Sequence, residues 1–178
     1  MATMQSDDLL DFWFDRDGKA WFEKNPAFDE EIRSRFLPLY ESAAEGGLAA
    51  WLDQPRNCLA LLILLDQFPR NMFRGAARAF AADRAALEAA RAIVDNGWDK
   101  AMSPDERMFA YLPFEHSEAL EDQERSLTLF EGHPNFEWAR KHWEIVQRFG
   151  RFPHRNAVLG RPSTPEEIEF LNQPGSGF

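Results

Sequence analysis

The stretch "PRNCLALLILLDQF", residues 55–68, decides the fold of this 178-residue chain. Proline suits the first position of a helix, where its missing N–H is not needed, and an unbroken apolar run from Cys58 to Leu65 follows. A helix that is apolar on every side has to be buried in a core. We therefore predict a central helix that begins at Pro55 and stops at Pro69, because proline removes a hydrogen bond from a helix interior.

Most of the remaining chain also carries helical signals. "SPDE", residues 103–106, and "TPEE", residues 164–167, are capping boxes that open helices with proline in the first position. Apolar residues at helical spacing predict a helix from about residue 29 to 45 and another from about residue 135 to 149, each followed by glycine. We expect Pro38 to break or kink the first of these two helices.

No run of alternating β-branched residues indicates a strand. Pro113 is expected to end one helix and to start the next, which runs to about Glu131. The chain is therefore predicted to be all-α, with roughly seven or eight helices in antiparallel pairs that form a compact helical array or a short solenoid. Its length fits a single domain over residues 1–178, in which residues 172–178 form a frayed tail.

The composition restricts the cellular setting. Cys58 is the only cysteine, so a disulfide framework is excluded and a small buried thiol is expected, which fits a reducing cytoplasm. Acids at Asp7, Asp8 and Asp11 do not fit a signal peptide. The longest apolar run is too short to span a bilayer. We predict a cytoplasmic protein that does not enter the membrane.

The charge distribution indicates the kind of partner. A net charge of -10 argues against nucleic acid and against an anionic membrane as partners, because both require a basic surface. Residues 140–162, however, contain six Lys or Arg residues and one acid. A basic segment on an acidic protein favours a small anion, or a single carboxylate of a protein or peptide partner. The oligomeric state stays open.

Two distant segments repeat the same pattern. "LLDQFPRNMFRG", residues 64–75, and "FGRFPHRNAVLGR", residues 149–161, both contain Phe-Pro and then Arg-Asn. Proline pushes the preceding residue out of helical geometry, so Phe68 and Phe152 are predicted to be extended anchors after a helix stop. The asparagines can close the turns that follow. Turn geometry does not account for the basic residues Arg70, Arg74, Arg151, His154 and Arg155.

These basic side chains suggest a binding site. A planar guanidinium holds a carboxylate or a phosphate through two parallel hydrogen bonds. Our first hypothesis is a helical binding module whose polar side chains converge near "PFEHSE", residues 113–118, on an anionic small molecule or a peptide carboxylate. The side chains assigned to this ligand are Arg70, Asn71, Arg74, Arg151, His154, Arg155 and Asn156.

Two other hypotheses compete with the binding module. The chain is an enzyme if His116 or His154 acts as general acid or base, oriented by Asp66 or Glu118, while the arginines stabilise negative charge. The arginines are purely structural if they pair with Asp66, Glu115 or Glu118 and fasten loops together.

Cofactor signatures are weak throughout. No acid lies three residues before a histidine and no two histidines are spaced four apart, so local helical metal motifs are absent from the sequence. A metal site assembled from Asp66, His116 and Glu118 remains an alternative. No nucleotide-binding or hydrolase motif occurs. We predict no metal and no cofactor.

Almost the whole chain resembles a bacterial family known as domain of unknown function 924. The motifs that carry the resemblance are "DFWF" at residues 11–14, "LLDQFPRNMFRG", "YLPFEHSE" at residues 111–118, and "RFGRFPHRNAVLGRPSTPEE" at residues 148–167. The resemblance implies a right-handed superhelix like that of tetratricopeptide repeats. It implies no established activity.

Overall fold

The computed structural model describes residues 6–16 and 18–177. Within these ranges the chain forms eight α-helices and five short 3-10 helices, and no strand. The all-α class and the expected number of helices are confirmed. The α-helices are α1 (Ser6–Phe14), α2 (Pro26–Ala44), α3 (Pro55–Met72), α4 (Asp83–Asp95), α5 (Pro104–His116), α6 (Leu120–Leu129), α7 (Phe136–Phe149) and α8 (Pro165–Leu171).

The chain divides into two compact units. The first is drawn from Met1–Arg74 and Arg78–Ala110, and the second from Gly75–Ala77 and Tyr111–Phe178. The single domain expected over residues 1–178 stays a prediction.

Helix α3 lies at the centre of the first unit, where it packs against α1, α2 and α4. All residues from Cys58 to Pro69 are buried, as the apolar run predicted. Aromatic rings fill the space around this helix. The ring centroid of Phe68 lies 4.8 Å from that of Phe36 and 5.5 Å from that of Trp13, and all three side chains are fully buried. Rings of this size supply much of the apolar area that the core removes from water.

The second unit has a smaller core. Helix α6 packs against α7, and α8 packs against the short 3-10 helix Pro153–Arg155. Ile145, Val146 and Phe152 are buried together, with Phe149 and Phe170 packed against them.

The helix ends follow the capping signals. The Ser103 hydroxyl accepts from the Glu106 amide at 3.2 Å, and the Glu106 carboxylate accepts from the Ser103 amide at 2.9 Å. Thr164 and Glu167 form the second predicted capping box. Gly150, at φ 70, ends α7 in the left-handed conformation that glycine adopts without strain. Capping chemistry was therefore readable from sequence.

The predicted helix breaks at three prolines are wrong. Helix α2 begins at Pro26 and runs without interruption through Pro38. Helix α3 continues past Pro69 to Met72, and α5 continues past Pro113 to His116. Each proline removes one backbone hydrogen bond, but the turns around it bury large side chains. Tertiary packing outweighs the local cost at all three positions.

None of the helices in the described part of the chain is long and apolar enough to cross a membrane. The predicted frayed tail begins at Asn172, directly after α8 ends. Its last residue, Phe178, lies outside the described residues, and fraying of the tail stays a prediction.

Candidate functional site

The last turn of α3 carries the first group of predicted ligand-binding residues. The Arg70 guanidinium lies against two acids, with Nη1 at 3.1 Å from Asp66 Oδ1 and at 2.8 Å from Asp83 Oδ1. Nη2 donates to Asp83 Oδ2 at 3.1 Å. Burial alone would lower the pKa of Arg70, but the charges of Asp66 and Asp83 outweigh burial and raise it. Arg70 therefore ties the end of α3 to the start of α4.

Asn71 and Arg74 both contact Asp29, near the start of α2. Asn71 Nδ2 donates to Asp29 Oδ1 at 2.8 Å, and Arg74 donates to both carboxylate oxygens at 3.0 and 2.9 Å. Burial acts to raise the pKa of Asp29, but the hydrogen bonds from Arg74 and Asn71 hold it below its usual range. This is the bidentate geometry expected of an arginine that holds a carboxylate, and here the carboxylate belongs to the chain itself.

The two Phe-Pro segments have different conformations, which corrects the prediction that both are extended. Phe68 lies within α3, because the helix does not stop at Pro69. Phe152 is extended, with φ -91 and ψ 106, and it follows the glycine that ends α7. The extended anchor is therefore confirmed only for the second segment. The two segments also belong to different compact units.

Glu167 organises the second segment. Arg151 donates to its two oxygens at 2.7 and 2.8 Å, and Asn156 Nδ2 donates to Oε2 at 3.2 Å. The Thr164 amide donates to the same oxygen at 2.8 Å. These donors, Arg151 first, lower the pKa of Glu167 to about 2 although burial acts to raise it. Residues 151–167 are consequently closed into a loop.

Glu118 holds the same loop from α5's side of the unit. Its carboxylate accepts from Arg161 at 2.7 and 2.9 Å and from the Phe152 amide at 2.7 Å. Arg161 also donates to Asn156 Oδ1 at 2.9 Å and to the Phe152 carbonyl at 3.1 Å. Burial acts to raise the pKa of Glu118, but the bonds from Arg161 and Phe152 lower it. Phe152 is thereby fixed at both its N–H and its C=O.

Basic and imidazole side chains gather around the Phe152 ring. Its centroid lies 5.6 Å from the His142 ring, 5.6 Å from the His154 ring and 4.6 Å from Cζ of Arg155. The His116 ring lies 6.4 Å from that of His142. We call this group, with one acid, the Phe152 cluster: Glu115, His116, His142, Phe152, His154 and Arg155.

His154 is neutral at physiological pH. Burial lowers its pKa from 6.5 to about 4, and the positive charge of Arg155 and the His142 ring act in the same direction. Glu118 acts to raise this pKa, but its effect is smaller. The cluster therefore disfavours an additional proton on His154.

Glu115 and His142 form a buried pair inside this cluster, with 3% and 6% of their surfaces exposed. Nδ1 of His142 lies 3.0 Å from Glu115 Oε1 and 2.8 Å from the Trp138 carbonyl oxygen. Both neighbours are acceptors, so Nδ1 carries the proton. In the neutral ring Nε2 then carries the lone pair.

Sequence reasoning missed His142, Arg161 and Glu167, and treated Glu115 only as a partner for an arginine. A signal for His142 was present. It lies three residues after Ala139 and four before Val146, both of which are buried on the inner face of α7. A histidine at that spacing has to enter the interior and find a polar partner there.

No three His, Cys, Asp or Glu side chains among residues 6–16 and 18–177 are grouped so that they could hold a metal ion. Asp66, one of the three predicted candidates, is engaged with Arg70 in the first unit. His116 and Glu118, the other two, lie in the second unit.

The chain belongs to a family of bacterial proteins of unknown function, DUF924, whose model matches residues 9–175. The family resemblance seen in the sequence is therefore confirmed. Among solved structures, the chain is similar to that of ATU0120, a protein of unknown function from Agrobacterium tumefaciens. The two are 43% identical, with a TM-score of 0.90, and the match covers 94% of this chain and 96% of that one. No curated protein matches the chain.

Proposed function

We propose that the Phe152 cluster binds a small anion, such as a molecule that carries a carboxylate. The observation that carries this proposal is the placement of three imidazoles and one guanidinium around a single site in a protein of net charge -10. A concentration of donors at one point, in a chain rich in acids, favours a negatively charged ligand.

Arg155 is the central cation of the proposed site. It is only 7% exposed and lies over the Phe152 ring, so its guanidinium has lost most of its contact with water. A bound carboxylate would supply charged hydrogen bonds that offset this loss. His154 lies beside it in the same 3-10 helix. An anion at Arg155 would also favour a proton on His154, which couples binding to proton uptake.

The other predicted ligand-binding residues receive a different role. Arg70, Asn71 and Arg74 hold acids of the first unit, and Arg151 and Asn156 hold Glu167. We assign these side chains to the positioning of their segments, as the structural hypothesis expected. Convergence of the two Phe-Pro segments on one ligand stays a prediction. A tetratricopeptide-like superhelix, a protein or peptide partner and a cytoplasmic location also stay predictions.

Thermal unfolding in the presence of small anions tests the proposal. Citrate and inorganic phosphate are compared with sodium chloride at equal ionic strength and pH 7. An anion at ten times its Kd should raise the Tm by about 3–6 °C. Arg155→Met, which keeps the length of the side chain but removes the charge, should abolish this rise.

The matched control is Arg140→Met. Arg140 is an exposed arginine of α7 that pairs with Glu137 and Glu144, so its loss should leave the anion effect intact. An anion effect of equal size in Arg155→Met and in the wild type would contradict the proposal. So would the absence of any specific anion effect in the wild type.

A further inference from the structure

We propose that Glu115 and His142 form a proton-transfer pair, in which His142 is the general base for hydrolysis of an ester that carries a negative charge. This inference rests on the proposed function, since the anionic part of the ester would be the group held by the Phe152 cluster. His142 would be the catalytic base and Glu115 a positioning residue.

The tautomer of His142 is the first step of the argument. Because Nδ1 is hydrogen-bonded to two acceptors, Glu115 Oε1 and the Trp138 carbonyl, its proton is fixed on that nitrogen. The opposite nitrogen, Nε2, is then the basic one. A carboxylate that holds the N–H of an imidazole both orients the ring and stabilises the imidazolium formed when Nε2 accepts a proton.

The position of Glu115 is the second step. It lies in the last turn of α5, where the helix dipole disfavours a negative charge, and it is buried. Its Oε2 has no hydrogen-bond partner within the residues that the structure describes. A buried carboxylate in this position costs stability. Its charge is directed at His142, where an imidazolium would compensate it.

The third step is the arrangement of base and cation. His142 and Arg155 both contact the ring of Phe152, which is held in place through its backbone by Glu118 and Arg161. A ligand bound by Arg155 would therefore lie close to the basic nitrogen. A rigid support of this kind is what orientation of a reacting group requires.

The proposed reaction balances with water as the only co-reactant. Nε2 of His142 accepts a proton from water while the water oxygen bonds to the ester carbonyl carbon, and the carbonyl electron pair moves to its oxygen. As this intermediate collapses, the bond from carbon to the alcohol oxygen breaks. The imidazolium of His142 then returns the proton to the alkoxide. The products are an acid and an alcohol, and the pair is regenerated.

Hydrolysis of an activated anionic ester by the full-length protein tests the inference. The probe is the mono-4-nitrophenyl ester of succinic acid, and 4-nitrophenyl acetate is its neutral counterpart. The wild type should hydrolyse the anionic ester with the higher kcat/KM. His142→Gln should lower kcat by at least about 100-fold. Glu115→Gln should lower kcat by about 10-fold or more while KM stays within about two-fold, because orientation rather than binding is lost.

His133→Gln is the control variant, since His133 lies in the same unit but outside the cluster. It should leave kcat unchanged, and circular dichroism should show that all three variants keep their helices. Absence of turnover above that of free imidazole in the wild type overturns the inference. An intact anion-dependent Tm rise in that case would leave anion binding standing, so the two proposals fail separately.

Nitrogen chemical shifts of the wild type give a test that needs no variant. At pH 8 the His142 ring should show a proton on Nδ1 and none on Nε2. The opposite tautomer would place the lone pair on the nitrogen that faces Glu115 and would overturn the inference.

Discussion

At the scale of single residues, the acids of the second unit serve as connectors. Glu167 and Glu118 each accept from an arginine and also from a backbone N–H. Bonds of this kind stabilise the ionised carboxylate, which is why the pKa of each is lowered. His154 shows the opposite behaviour, since its surroundings disfavour its charged form.

We expect His154 to make the protein sensitive to acid. The pKa of His154 is about 4 in the folded chain, because burial and the charge of Arg155 disfavour the imidazolium, with smaller effects from His142, Glu118 and Arg161. Below about pH 6.5 the unfolded chain takes up a proton that the folded chain does not. The free energy of unfolding should therefore fall as the pH decreases from 6.5 towards 4, by at most about 3 kcal/mol.

Urea unfolding at pH 7 and at pH 4.5 measures this effect. His154→Gln cannot titrate, so it should lose less stability between the two pH values than the wild type does. His133→Gln is the control and should lose as much as the wild type. Equal losses in His154→Gln and in the wild type would show that His154 has no part in acid sensitivity.

At the scale of helices, prolines inside the helices were the main obstacle to prediction. The capping boxes at Ser103 and Thr164 depend on neighbouring residues alone and were predicted correctly. Whether a helix continues past Pro69 depends on distant packing, since Phe68 and Met72 on either side of it are buried against other elements. Local sequence contains no record of that packing.

The candidate site was partly predictable for the same reason. His154 and Arg155 attracted attention because turn geometry does not require them, and both lie in the Phe152 cluster. Glu115 and His142 are far apart in the sequence, so their contact depends on the packing of the unit. The spacing of His142 on α7 indicated burial but could not identify its partner.

Replacement of Pro38 should stabilise the protein. Pro38 is exposed in the interior of α2, where it removes the amide that would donate to the Ser34 carbonyl. Pro38→Ala restores this hydrogen bond without loss of core packing. We expect the free energy of unfolding to rise by about 1–3 kcal/mol.

Chemical denaturation of Pro38→Ala and Pro26→Ala forms the matched comparison. Pro26 occupies the first position of the same helix, where proline is favourable, so Pro26→Ala should give no gain. If Pro38→Ala proves neutral or destabilising, the helix around residue 38 differs from a regular one.

At the scale of the whole molecule, the single thiol is a probe of global unfolding. Cys58 is fully buried in α3, where its Sγ lies 3.4 Å from the Ala89 carbonyl, and burial raises its pKa to about 12. Only a thiolate reacts rapidly with a disulfide reagent. In native buffer at pH 8 we expect Cys58 to react with dithiobisnitrobenzoate at least about 1,000-fold more slowly than in the unfolded chain.

One equivalent of the thiol should be released in guanidinium chloride, which serves as the internal control. Addition of urea below the unfolding midpoint should accelerate labelling in proportion to the unfolded fraction. Rapid labelling in native buffer would mean that the α3 region opens without unfolding of the protein.

The loop closed by Glu167 offers a use in protein engineering. Residues 151–167 are joined near their ends by the Arg151 pair, and the exposed bend at residues 157–160 lies between the fixed points Asn156 and Arg161. The entropy cost of loop closure grows only slowly with added length. An affinity peptide or a fluorescent tag inserted at this bend would leave both chain termini untouched, and the clamped flanks would carry the insertion as a handle.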